Sequence, residues 1–173
     1  LNTAGMSDLA VIWLSRNVVV ETPIHLVFIT TGNQIISQPR CLVVAKTGSE
    51  VTLVEEFINS GIEKEQNEQI YLNNAVTEIW IDENAGVNHT RIERDSKEAF
   101  HIGKTAVTQA RSSRYTCNAI TLGGKLSRHN LEILQTGEQT ETNLNGLTII
   151  TGNQLSDTHS ALALNYPHSN SNQ

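Results

Sequence analysis

Short aliphatic runs alternate with glycine or asparagine corners along almost the whole chain. Leu42-Val43-Val44 is followed by Gly48 and then by Val51 to Val54, and Ile79-Trp80-Ile81 by Asn84, Gly86 and Val87. The arrangement recurs as Ile120-Thr121-Leu122 with Gly123-Gly124, as Leu131 to Leu134 with Gly137, and as Leu147 to Ile150 with Gly152-Asn153. Runs this short, alternating with a period of two and broken by turn residues, predict an all-β chain. From Thr77 to Ile81, one face carries Thr77, Ile79 and Ile81 and the other Glu78 and Trp80. No single strand–corner–strand module can bury its own apolar face, so the modules must stack into a β-solenoid.

Two stretches depart from this pattern. Ser60 to Gln69 is the most polar segment and reads as an exposed loop between two halves. Asp95-Ser96-Lys97-Glu98 has the form of a helix capping box, after which Ala99, Ile102, Ala106 and Ala110 fall near one helical face. Gly103 and the β-branched Thr105, Val107 and Thr108 favour a strand over the same residues. Local pattern leaves both readings open.

Composition narrows the class. A chain of 173 residues is one domain or a piece of a larger one, long enough to hide a core. Aromatic residues make up only 5%, so the interior is expected to be built from Val, Ile, Leu and Ala. The net charge is −6 and the 12 Lys and Arg are scattered. Their densest set, Arg91, Arg94 and Lys97, is interleaved with Glu93, Asp95 and Glu98 and reads as a solvated surface, not a phosphate-tracking stripe. The longest apolar run, Leu9 to Leu14, is far short of a membrane helix. Cys41 and Cys117, far apart and without a CxxC, read as reduced buried thiols of a cytosolic protein.

Candidate chemistry is sparse. None of His25, His89, His101, His129, His159 and His168 pairs with another at metal-ligand spacing, and they read as core or surface residues. The alternative is a composite metal site assembled across coils from His89, His101 and Cys117. Glu55-Glu56 and Asp82-Glu83 are candidate acid–base pairs for glycoside chemistry, which also needs aromatic platforms. With only Trp13 and Trp80 available, these carboxylates read instead as charges at solvent-facing corners. Gly123-Gly124-Lys125 is a tight turn without P-loop spacing. Nothing in the chain demands an enzyme.

An ordered series of blocks identifies a family. It runs through Leu1-Asn2-Thr3-Ala4, Val20-Glu21-Thr22-Pro23-Ile24-His25-Leu26, Pro39 to Val44, Gly48 to Glu56, and Asn74-Ala75-Val76-Thr77-Glu78. It continues with Ala99-Phe100-His101-Ile102, Leu122-Gly123-Gly124, Arg128-His129-Asn130, Leu144-Asn145-Gly146-Leu147 and Asp157-Thr158-His159. Over nearly its whole length the chain resembles the SufB/SufD family of iron–sulfur cluster assembly proteins, with the wording around Pro23 to Leu26 and Ala99 to Ile102 similar to the SufD branch.

The resemblance implies a right-handed parallel β-helix over residues 1–165 and an extended segment from Phe100 to Ser112. It implies a non-catalytic scaffold subunit of a SufB–SufC–SufD complex, joined to SufB through the β-helices and to the ATPase SufC through a C-terminal helical domain. ATP-driven motion of SufC would open the interface where a cluster forms. The setting implied is the cytoplasm, or the plastid stroma in a plant or alga. Residues 166–173 read as a family segment cut off midway or as a disordered tail. The family's functional positions lie beyond this segment, so no catalytic, cofactor-binding or metal residue is assigned, and the cluster belongs to the complex. His101 and His129 match family wording and are read as packing at coil corners. A stack cut at both ends would expose strand edges, so self-association is expected. Two other readings remain, an extracellular carbohydrate-active β-helix similar to polysaccharide lyases and a purely structural β-solenoid.

Overall fold

The structure is a computed structural model and describes residues 1–60 and 69–173. The loop expected from Ser60 to Gln69 therefore lies, from 61 to 68, outside the described residues. After a single helical turn, α1 (Asn2–Gly5), the described chain is built of strands. In order these are β1 (Ala10–Leu14), β2 (Ile24–Thr30), β3 (Ile35–Ser37), β4 (Arg40–Ala45), β5 (Glu50–Asn59), β6 (Tyr71–Asn73) and β7 (Val76–Ile81). There follow β8 (Gly86–Arg94), β9 (Phe100–Gln109), β10 (Arg114–Thr121), β11 (Leu126–Gln135), β12 (Glu141–Thr148), β13 (Leu155–Ala163) and β14 (Asn170–Asn172).

The strands divide between two sheets in which every ladder is parallel. One sheet runs β1-β4-β7-β9-β11-β13, with β3 and β6 as short flanking pieces; the other runs β2-β5-β8-β10-β12-β14. The chain crosses from one sheet to the other and back, climbing one rung per round, so the architecture is a parallel β-solenoid. The segment from Phe100 to Gln109 is strand β9, hydrogen-bonded to β7 and β6 on one side and β11 on the other. Two flanking ladders overrule the local helix signal.

The corners explain the glycine and asparagine punctuation. Between each strand of the first sheet and the next of the second, one residue adopts a left-handed conformation: Asn17, Gly48, Asn84, Ser112, Gln139 and His168, with φ between 57° and 68°. These residues stack, the backbone N–H of each of the first five donating to the corner of the following coil. Asn17 donates to Thr47 O, Gly48 to Glu83 O, Asn84 to Arg111 O, Ser112 to Glu138 O and Gln139 to Pro167 O, at 2.9 to 3.3 Å. The closing segment 166–173 supplies the last of these corners, at His168, and then β14, paired with β12.

Side chains of alternate residues point between the sheets. One end of this interior is apolar, filled by Val43, Ala45, Val51, Leu53, Ile79, Ile81, Val87, Val107 and Ile133. Aliphatics do not suffice: Tyr71, Tyr115 and Phe57 are among its largest fully buried side chains. The other end, where β5 and β8 finish and β9 and β11 begin, is lined by ionisable groups. The mixed-charge run is therefore only in part a solvated surface. Arg91, Glu93 and Asp95 are buried, while Arg94 and Lys97 are exposed. The cause is parity, since Arg91 and Glu93 share the inward face of β8 with Val87 and His89.

The Gly123-Gly124 turn closes over this charged end. A Cβ on Gly123 would lie 2.4 Å from Asp95 O and 2.9 Å from Asp95 N, a clash with backbone that no rotamer change relieves. Gly146, which shares the inward parity of Leu144 on β12, has nothing within 4 Å of the same position. Gly123→Ala is expected to lower stability by on the order of 1–3 kcal/mol, and Gly146→Ala to stay within about 0.5 kcal/mol of the parent. Urea denaturation midpoints of the two variants check this.

Candidate functional site

The charged half of the interior is the one place where the described chain concentrates chemistry-bearing side chains. Its first group centres on β5, β8 and β10. Inward alternation along Val51, Leu53, Glu55 and Phe57 places Glu55 inside, 1% exposed, and not at a solvent-facing corner. Glu56 points to the opposite face, where it meets His25 at 3.1 Å and Arg94 at 3.3 Å. Neighbours along a strand cannot flank one sugar, so Glu55 and Glu56 form no acid–base pair. Asp82 and Glu83 do sit at an outer corner, Asp82 bridged to Lys46 at 3.1 Å.

Glu55 accepts hydrogen bonds from Thr77 at 2.8 Å and from His89 Nε2 at 2.8 Å. His89 Nδ1 lies 3.1 Å from the Tyr115 hydroxyl. Burial opposes charge on both members of this pair. For Glu55 the desolvation is outweighed by the His89 hydrogen bond and charge, by Thr77 and by Arg91, and its pKa is held below the ordinary value. Desolvation of His89 is likewise outweighed, by hydrogen bonds to Cys117 and Glu55, which push its pKa up to about 9. Both shifts run toward the charged forms, so the site favours an imidazolium–carboxylate pair over its neutral form. Burial, and secondarily the Glu55 charge, push the Cys41 thiol up to about 12, which makes it a poor nucleophile.

The second group centres on Arg91, Glu93, Asp95 and His101. Asp95 Oδ1 accepts from the Tyr71 hydroxyl and from Asn73 Nδ2, both at 2.8 Å, and Oδ2 accepts from His101 Nδ1 at 2.6 Å. Arg91 Nη2 donates to His101 Nε2, which fixes His101 as the neutral Nδ1–H tautomer. Glu93 Oε2 accepts from the Ser127 hydroxyl at 2.5 Å. Phe57 packs beneath, its ring centroid 4.9 Å from His101 and 5.1 Å from the Arg91 guanidinium carbon. Gly103 makes room for the cation, since a Cβ there would lie 2.8 Å from Arg91 Nη2.

His129, on the next coil, sets Nε2 3.0 Å from Thr105 Oγ1 and leaves Nδ1 buried without a partner. Desolvation, then the positive charges of Arg91 and His89, hold its pKa well below the ordinary value. With Cys117 it lines a cavity of about 80 Å³ at the open end of the stack.

The structure thus brings His89 and Cys117 onto adjacent rungs in register but places His101 in the second group. The composite His89–His101–Cys117 site does not form. Among the described residues, the one trio of potential ligands within 4.8 Å of one another is Glu93, Asp95 and His101, all buried. His101 and His129 lie inside strands, not at corners. His25, His159 and His168 are exposed. Sequence reasoning passed over Arg91, Glu93 and Asp95; the signal that finds them is the apolar parity begun at Val87.

Comparison with known proteins supplies the context. The SufBD core domain of the SUF system for FeS cluster assembly matches residues 28–173. An iron–sulfur cluster assembly SufBD family protein of Synechocystis sp. is 47% identical over 100% of this chain and 39% of its own length. Protein ABCI7, chloroplastic, of Arabidopsis thaliana is 33% identical over 100% of this chain and 37% of its own. SufD of Escherichia coli is 25% identical over 73% of this chain and 28% of its own. The chain thus spans well under half the length of these relatives.

The buried ionisable groups set a pH dependence. His129 is depressed, so its contribution holds at neutral pH and is lost as pH falls below about 6.5, where the unfolded chain takes up a proton that the folded chain refuses. His89 is raised, so its contribution is complete below about 6.5 and is lost as pH rises through about 9. Thermal midpoints are expected to peak near neutral pH and fall on both sides. His129→Asn should flatten the acid limb and His89→Gln the alkaline limb. Glu55→Gln strands the His89 cation, and urea titration at pH 7 should show a loss on the order of 3–5 kcal/mol.

Proposed function

The chain belongs to the SufBD core-domain family of the SUF iron–sulfur cluster assembly system, and on that premise we propose that it serves as a non-catalytic scaffold subunit of the SufD type. The observation that carries this reading is the family match over residues 28–173, together with relatives named SufD in Escherichia coli and Bacillus subtilis. The geometry supports it from another side. The concentrated ionisable chemistry is turned into the solenoid and for the most part engaged in its own hydrogen bonds and ion pairs, which suits a rigid framework better than an open cleft binding substrate.

In this reading the partners are SufB-type and SufC-type proteins, and the iron–sulfur cluster is cargo of the assembly, not a resident cofactor of this segment. The setting is cytoplasm or plastid stroma, the latter favoured by the chloroplastic relative. Among the described residues no helix is long and apolar enough to cross a membrane. The polysaccharide reading loses support, because Glu55 is sealed inside and Glu56 faces the other way.

The test is co-expression of the intact protein with the SufB-type and SufC-type proteins of its own organism. Size-exclusion chromatography with light scattering, plus iron and sulfide analysis, gives the readout. The expected outcome is one stable complex containing all three chains, with iron and sulfide on the complex and not on this subunit alone. An intact chain that elutes apart from both would overturn the proposal.

A further inference from the structure

In the charged half of the interior, one arginine stands where a metal ion would. His101 donates Nδ1–H to Asp95 Oδ2 at 2.6 Å, and this aims its Nε2 lone pair at Arg91. Carboxylate, imidazole and cation in that order is the arrangement by which metal-binding histidines are oriented. Here the cation is a guanidinium. Asp95 is itself locked by Tyr71 and Asn73, each at 2.8 Å, so the imidazole cannot turn away.

The guanidinium fills this place poorly. Arg91 Nη1 stays 3.6 Å from Glu93 Oε2, beyond hydrogen-bonding distance. Arg91 Nη1 and Glu93 Oε1 are both buried without a hydrogen-bond partner. A buried carboxylate oxygen and a buried guanidinium nitrogen left unmatched side by side are costly. Beyond Glu93, Gly124 leaves a space ringed by oxygen: a Cβ there would lie 3.1 Å from Glu93 Oε1, 3.6 Å from Leu126 O and 3.7 Å from Ala99 O.

We propose that His101 and Glu93, with Asp95 holding the imidazole in place, form a binding site for a divalent first-row transition-metal ion, which Arg91 occupies as an internal stand-in and which the metal takes by displacing it. His101 Nε2 and the Glu93 carboxylate ligate the ion, and Asp95, bonded on the Nδ1 side of the ring, orients His101. Imidazole with carboxylate oxygen suits Fe²⁺, Mn²⁺, Co²⁺ or Zn²⁺ and excludes a preference for soft Cu(I). The proposal concerns the interior of this chain and stands whether or not the scaffold reading holds.

Arg91→Gln is the discriminating variant, since it removes the competitor and spares His101, Glu93 and Asp95. Intact wild-type and variant proteins, produced in medium supplemented with iron, manganese and zinc, are assayed for bound metal by inductively coupled plasma mass spectrometry. They are then stripped and titrated with Co²⁺ while its visible d–d bands are followed. Wild type is expected to hold well under one metal per chain. Arg91→Gln should approach one and bind Co²⁺ at least tenfold more tightly, with its thermal midpoint rising as Co²⁺ is added. Arg91→Gln combined with His101→Asn should lose the bands. A folded Arg91→Gln protein with no more metal than wild type overturns the proposal, as does metal that persists in the double variant. If Arg91→Gln does not fold, wild type refolded in excess Co²⁺ decides, and the absence of d–d bands overturns the proposal equally.

Discussion

A strand in a parallel stack must lie over the strand one coil earlier, because its amides and carbonyls bond to that coil and to the next. Its side chains then alternate strictly between the interior and the outer face. A residue with inward parity is buried whatever its chemistry. That constraint produces the apolar end of this solenoid, where Val43, Ile79, Val107 and Ile133 meet Val51, Leu53 and Val87. It equally carries Glu55, Arg91, Glu93 and His101 out of water. Slipping β8 by one residue to free Arg91 and Glu93 would expose Val87 and lose its register with both β5 and β10.

Once charges are forced inside, they must serve one another. Glu55 and His89 form a pair whose mutual attraction outweighs their desolvation, and Asp95 gathers donors from Tyr71, Asn73 and His101. Arg91 is the least well matched member, held by the Phe57 ring and His101 yet short of Glu93. Such networks specify one arrangement of coils more sharply than an oily interior can, because any misplaced coil leaves a charge unmatched. The Gly103 and Gly123 positions belong to the same requirement: one leaves space for the guanidinium, the other lets the closing turn lie on the Asp95 backbone.

The fold was largely legible in the sequence and the site was not. Alternating Val and Ile with Gly48, Asn84 and Gly86 announces short strands and corners, and the solenoid follows because no module is self-sufficient. Over Phe100 to Gln109 the local pattern was evenly balanced, and only the ladders on both sides decide for a strand. Arg91 to Glu98 looked solvated because opposite charges usually mix on surfaces. Counting in twos from Val87 to His89, Arg91 and Glu93 tells the opposite story, as counting from Val51 does for Glu55. The corners at Ser112, Gln139 and His168 escaped notice since none is Gly or Asn, although each has a positive φ. What no periodicity encodes is which inward charge meets which, because that depends on side chains one and two coils apart.

The stacked left-handed corners divide the coil into a part that tolerates change and a part that does not. At five of them, Asn17 to Gln139, a backbone N–H bonds to the corner of the following coil, so one residue inserted between two such corners would break continuity on two levels at once. The opposite side of the coil has no such uniform column: the path from β5 to β6 is much longer than the path from β10 to β11. Lineages of this protein should therefore differ in length along that one side. The corner column acts as a spine of constant vertebrae, and novelty in the molecule accumulates on the side away from it.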